Sequence, residues 1–322
     1  MTTRTLIFDT DGGVDDAQAL LMLIANGRKP ELVTTVFGNV GLDAATANML
    51  ATLAVAGVSV PVHKGADRPL TQPIIDAKYV HGDDGLGGAP RPAQTESPAS
   101  ADAIGVLRKI FRDAAARGEK ADILMIGPLT NLALALRLEP SIIAGIGTLT
   151  IMGGTVYGRG NTTPAAEFNI YADPEAAQIV FSAAIETIIV PWEPCMTHRI
   201  TGPEVEALFD AAPASPAREF QKALAGHARL SIVSRGHPDV MFFVDPLAAA
   251  VVIDPSIVRK SVTASVQVSL APGITRGMTI VDPSGRLGSP KLTLVEEVDA
   301  QKLAALYAVS TAYTPQKAYE LS

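Results

Sequence analysis

A chain of 322 residues is long enough for a large core, and 48% hydrophobic with 18% charged residues is the balance of an ordinary folded protein. A net charge of −7 with no basic stripe excludes a nucleic-acid surface, and no apolar run reaches the roughly 20 residues that cross a bilayer, so no membrane role is expected. One cysteine, Cys195, excludes an internal disulfide and a cysteine zinc cluster. The opening MTTRTLIFDT enters a strand-like run at once, without the regions of a secretory signal. The expectation is a cytoplasmic protein that acts on a small molecule.

In chain order, RTLIFD (4–9) reads as a buried strand, 15–27 as a helix closed by Gly27, 32–38 as a strand, and 43–57 as a helix. SVPVH (59–63) is another strand, followed by a polar, Pro/Gly-rich stretch over about 65–101. Helix 101–118, strand 121–127, helix 129–138, strand 148–154, helix 173–184 and strand 187–192 come next. Beyond about 200 the pattern turns helical, then offers strands at 261–270 and around MTIV and KLTLV, before a last helix near 298–312. Strands without period-two alternation, spaced by helices, mark a parallel sheet covered on both faces. The fold class is α/β: an open, mostly parallel sheet flanked by helices around a Rossmann-like core. No repeat, charged run or linker forces a division, so residues 1–322 are expected to be a single domain.

FDTDGGVDDAQAL (8–20) puts Asp9, Asp11, Asp15 and Asp16 beside two glycines, where a first strand passes into a helix. In such sheets ligands gather at the carboxyl ends of the strands. Asp15 and Asp16 could serve simply as helix-capping acids, but Asp9 and Asp11 could not. Acids this close raise one another's pKa, and an ionised cluster wants a hard, oxygen-seeking cation, Ca²⁺ or Mg²⁺. An EF-hand loop starting at Asp9 fails, because its sixth and twelfth places hold Val14 and Leu20. A phosphatase of the strand-DxDG type, with its first Asp as nucleophile, remains open for this segment alone.

Further segments narrow the choice. DTDGGVDDA, FGN (37–39), HGDDGLGG (81–88), IGPLTNLALAL (126–136), IMGG (151–154), GNTTPAAEFNIYADPEAA (160–177), VDP (244–246) and RGMTIVD (276–282) follow one another in order. The sequence resembles the nucleoside hydrolase family, the inosine-uridine-preferring ribohydrolases, from Leu6 to about Asp282. Gly12 stands where that family usually has proline.

The resemblance implies calcium-dependent hydrolysis of a ribonucleoside to ribose and free base. It implies Ca²⁺ held by Asp11, Asp16, the backbone carbonyl of Ile126 and Asp245, with Asp11 also the general base toward water. It assigns Asp15, Asn39, Asn161, Glu167 and Asn169 to the ribose, with Asn169 also counted among the catalytic residues. Asp9 would brace the loop and Phe168 would line the pocket. His81 follows the family's H-G in a loop that closes over substrate, with an ordinary surface histidine as the alternative. Dimers or tetramers are usual in similar proteins, so a homo-oligomer is expected.

Val244 is the clearest departure: many relatives have histidine just before the last calcium Asp, where it helps protonate the leaving base. His227 and His237 could substitute, although isolated histidines in a polar segment are usually solvated. Trp192 could stack on a base but core packing is its commoner role, and Cys195 lacks an activating partner. Val244 and Gly12 keep a second function open, a non-catalytic or altered riboside-binding relative.

Overall fold

The computed structural model describes residues 4–92 and 95–315. Eleven strands are formed among them: β1 (Leu6–Thr10), β2 (Leu32–Thr35), β3 (Val62–Lys64), β4 (Ala121–Met125), β5 (Ile146–Met152), β6 (Glu186–Val190), β7 (Arg199–Thr201), β8 (Val240–Phe242), β9 (Val258–Val268), β10 (Thr279–Asp282) and β11 (Lys291–Val298). Helices α1 (Val14–Ala25), α2 (Leu42–Val55), α3 (Lys78–His81), α4 (Ala103–Ala116), α5 (Thr130–Leu138), α6 (Phe168–Ala172) and α7 (Pro174–Phe181) lie in the first part. The second part holds α8 (Trp192–Thr197), α9 (Gly202–Ala211), α10 (Pro216–Ser234), α11 (Asp245–Ile253) and α12 (Ala300–Thr311).

Nine strands make one sheet in the order β10-β9-β11-β6-β5-β4-β1-β2-β3, and β7 pairs with β8 outside it. The neighbours from β11 to β3 run parallel, and β9 is antiparallel to both β10 and β11. The open, mostly parallel sheet is therefore as expected, with a reversed strand near one edge.

The first strand shows why alternation is missing from the sequence. Leu6 and Phe8 enter the core beneath α1, α2, α10, α11 and α12, while Ile7 enters the core beneath α4, α5 and α7. Leu124 and Ile123 divide in the same way on β4. A strand with apolar neighbours on both faces has no polar face to show, and each such burial contributes roughly 1.5–3 kcal/mol.

Several boundaries differ from expectation. Strand β2 stops at Thr35 rather than Gly38, because the chain turns in toward β1 there. A Cβ on Gly38 would lie 2.0 Å from Asp11 Oδ2, so only glycine permits the approach. Helix α1 ends at Ala25, and Gly27 follows at φ +74°, the usual helix-stopping geometry. The β7–β8 pair has no counterpart among the expected elements, since three-residue strands carry almost no periodic signal.

Candidate active site

The chain builds β1, β2 and β3 outward in one direction, then crosses back to place β4, β5 and β6 on the other side of β1. The carboxyl ends of β1 and β4 thus splay into the crevice that such a reversal creates. Asp11 follows β1 directly and Ile126 follows β4, and the Ile126 N–H donates to Asp9 O at 2.9 Å. Topology alone therefore brings two distant segments together.

From Asp11 the chain turns through Gly12, at φ +73°, into α1. The N–H groups of Asp11, Gly12 and Gly13 donate to the Asp16 carboxylate at 3.2, 3.2 and 2.8 Å, and Thr10 Oγ1 donates to it as well. The capping reading is accordingly realised for Asp16, which closes the first turn of its own helix onto Gly13. It does not exhaust the cluster. Asp11 Oδ2 accepts from Asn39 N at 2.8 Å and Oδ1 from Asn39 Nδ2 at 2.9 Å; that nitrogen also lies 3.0 Å from Asp16 Oδ2.

Carboxylate oxygens of Asp15, Asp16 and Asp245 lie within 4.8 Å of one another. This trio contains Asp15, which the resemblance assigned to sugar, and leaves out Asp11, whose oxygens face Asn39. Burial pushes Asp11, Asp16 and Asp245 above the ordinary carboxylate range, with mutual repulsion among the acids adding to it. Asp15 rises to about 6, chiefly through burial. Asp15 Oδ1 is buried and accepts no hydrogen bond from the described residues. Crowded, buried acids with an orphaned oxygen are what a hard cation would satisfy, so the residues fit one. Asp9 braces the floor: its Oδ2 accepts from Thr34 Oγ1 at 2.5 Å and Asn131 Nδ2 at 2.8 Å, and burial lifts it to about 7.

A cavity of about 390 Å³ opens above these acids. Asp15, Asn39, Asn161, Glu167, Phe168, Asn169, His81, Ile126 and Asp245 all line it, while Asp11 and Asp16 sit just beneath. Asn169 Nδ2 donates to Ile126 O at 3.1 Å and Met152 O at 3.0 Å. Glu167 caps the five-residue α6, accepting from Asn169 N at 2.9 Å and Gly154 N at 2.9 Å, and burial raises it to about 7. Asn161 Oδ1 accepts from Phe168 N at 2.8 Å, so Asn161, Glu167, Phe168 and Asn169 are held on one segment. Phe168 also packs with Val36 and Phe37.

His81 Nδ1 accepts from Val14 N at 3.1 Å and stands 3.6 Å from Asp15 Oδ1; burial lowers its pKa to about 4. The ring is thus neutral and buried rather than a surface histidine. His227 does not enter the cavity. Its Nε2 pairs with Val80 O at 3.0 Å and its ring fills the space beside Gly87, tying α10 to the 81–88 loop. His237, in contrast, lines the cavity. Trp192 does too, meeting Phe242 edge-on at 6.5 Å, so it packs and faces the cavity at once. Cys195 is buried, with Sγ donating to Pro191 O at 3.3 Å, which suits packing.

Sequence reasoning missed Gln18, Tyr79, Met152, Met196 and Arg235 among the lining residues. Gln18 had a signal: three places after Asp15 on one helix is the same face.

Residues 6–305 match the inosine-uridine preferring nucleoside hydrolase family. The chain is 36% identical to a non-specific ribonucleoside hydrolase RihC of Salmonella schwarzengrund, over 91% of this chain and 94% of that protein. It is also 36% identical to the Klebsiella pneumoniae protein of that name, over 90% and 92%. Among solved structures, a plant nucleoside hydrolase superposes with a TM-score of 0.86 at 28% identity, covering 97% and 99% of the two chains. A purine-preferring ribonucleoside hydrolase from Gardnerella vaginalis gives 0.86 at 26% identity over 96% and 98%. The chain belongs to the inosine-uridine preferring nucleoside hydrolase family.

Proposed function

We propose that this protein hydrolyses the N-glycosidic bond of a ribonucleoside, releasing ribose and the free nucleobase, with Ca²⁺ as its cation and Asp11 as its general base. One observation carries the reading: Asp15, Asp16 and Asp245 converge under a cavity lined by Asn39, Asn161, Glu167 and Asn169, in a chain of this family.

Asp11, Asp16, Asp245 and the Ile126 carbonyl would hold the ion, with Asp15 close enough to join or to serve the sugar. When bound, calcium would draw water and sugar hydroxyls together and lower the pKa of that water. Asp11 takes the water's proton as its oxygen forms a bond to the anomeric carbon. Asn39, gripping both Asp11 oxygens, fixes the direction in which that carboxylate accepts. The bond to the base breaks with its electron pair going to the base, and positive charge develops on the sugar. The buried carboxylates are suited to stabilise that charge. Asp15, Asn39, Asn161, Glu167 and Asn169 bind ribose hydroxyls, and Asn169 orients the sugar from the Ile126 side. Val244 supplies no proton, so a base that departs well without one is favoured. His81, neutral, serves as a cavity donor near Asp15.

The family resemblance and the lone cysteine support a single-domain, cytoplasmic homo-oligomer, dimer or tetramer. Reducing-sugar release from a panel of purine and pyrimidine ribosides tests the function. Activity on one or more supports it. Riboside binding without release would favour a binding protein, and phosphate release from phosphomonoesters would favour the phosphatase.

A further inference from the structure

Gln18 is 2% exposed yet lines the cavity, one helical turn from Asp15. Its Nε2 donates to Tyr307 Oη at 3.1 Å and lies 3.8 Å from Met241 Sδ. The Tyr307 hydroxyl lies 3.6 Å from the same sulfur and donates to it. With the Tyr307 hydroxyl turned to Met241 Sδ, the Gln18 amide presents its nitrogen to Tyr307 and Met241 and its oxygen away from them. That oxygen accepts nothing from the described residues. It is not one of the buried unpaired polar atoms among the described residues, so it is open to the cavity that Gln18 lines and available to accept from a ligand donor.

Position indicates which part of a ligand supplies it. Of the polar groups suited to sugar hydroxyls, Asn161, Glu167 and Asn169 lie on the 161–169 segment, and Asp15 and Asn39 lie at the acid cluster. Gln18 is instead anchored on Met241, three residues before Val244, and Val244, Phe242, Trp192 and Ile232 form the cavity's apolar wall. An apolar wall beside one acceptor suits a heteroaromatic ring bearing an N–H. Resting on the ribonucleosidase reading above, we propose that Gln18 is a specificity-determining residue, its amide oxygen accepting a hydrogen bond from an N–H of the nucleobase. As the base departs with the bonding electron pair its N–H becomes a poorer donor. The contact therefore acts on binding more than on the bond-breaking step.

The test compares inosine, uridine and 4-nitrophenyl β-ribofuranoside, whose leaving group has no N–H. For Gln18→Leu, KM for both nucleosides should rise about 10-fold with kcat changed less than about 3-fold, while the nitrophenyl riboside is cleaved as before. Tyr307→Phe, which frees the amide from behind the cavity, should give the same pattern at smaller size. Unchanged nucleoside KM in both variants overturns the proposal. So does an equal loss on all three substrates, which would indicate a sugar contact or a packing role. A wild-type protein inert toward both nucleosides overturns the ribonucleosidase reading itself.

Discussion

Asn39 holds Asp11 from two sides, its backbone N–H on Oδ2 at 2.8 Å and its side-chain amide on Oδ1 at 2.9 Å. The grip explains why β2 must end early and why Gly38 precedes Asn39. It also leaves the Asp11 carboxylate with one orientation. Asn39→Ala should leave Asp11 in place but unsteered, lowering kcat/KM by about 10²-fold, with most of the loss in kcat. Steady-state kinetics with the best riboside of the panel checks this, and a loss confined to KM would mean that Asn39 serves the sugar alone.

Gly12 sits at φ +73°, where a Cβ would lie only 2.4 Å from Ala45 Cα, and its N–H donates to Asp16. Proline, the family's usual residue here, can neither take that φ nor donate. Gly12→Pro should therefore destabilise the protein by ~3 kcal/mol or more, read as a fall in the thermal midpoint. Gly12→Ala should cost about 1–3 kcal/mol through the same φ and the Ala45 contact. A proline variant as stable as the parent would show that the loop has a second path.

Burial lifts Asp9 and Glu167 to about 7 and Asp15 to about 6, from ordinary values of 3.8, 4.5 and 3.8. Without a cation, the folded protein thus retains protons between about pH 4 and 7 that the unfolded chain has released. Stability in a chelator should then fall as pH rises through that window. Calcium should raise the thermal midpoint more at about pH 8 than at about pH 5, because protons compete for the same oxygens. Thermal scans with chelator and with calcium check both signs; a midpoint indifferent to calcium at the higher pH would contradict the cation site.

Much of the fold was legible because each central strand and its helix announce themselves by length and by apolar or β-branched content, as in the LVTT of 32–35 and the apolar ILM that ends 121–125. The acid cluster and the 160–177 segment were legible because carboxylates and asparagines at strand ends have few other uses. The partition among the acids was not: whether Asp15 or Asp11 joins Asp16 and Asp245 depends on side-chain directions that no spacing encodes. His227 was unreadable for a similar reason. Its partner Val80 is 147 residues away, and only packing of α10 against the 81–88 loop decides that it acts as a strut. Gln18 lay hidden in an apolar helix, where its burial depends on Tyr307 near the far end of the chain.

The proposed mechanism turns on Asp11 removing a proton from water as that water attacks a ribonucleoside. The most direct measurement is ribose release by wild-type and Asp11→Asn protein, each supplied with calcium and matched for thermal midpoint. The wild type should release ribose from at least one riboside, and the variant should be slower by about 10²–10⁴-fold with the fold retained. A folded, calcium-supplied wild type that releases no ribose from any of them, or an Asp11→Asn protein as fast as the parent, would contradict it.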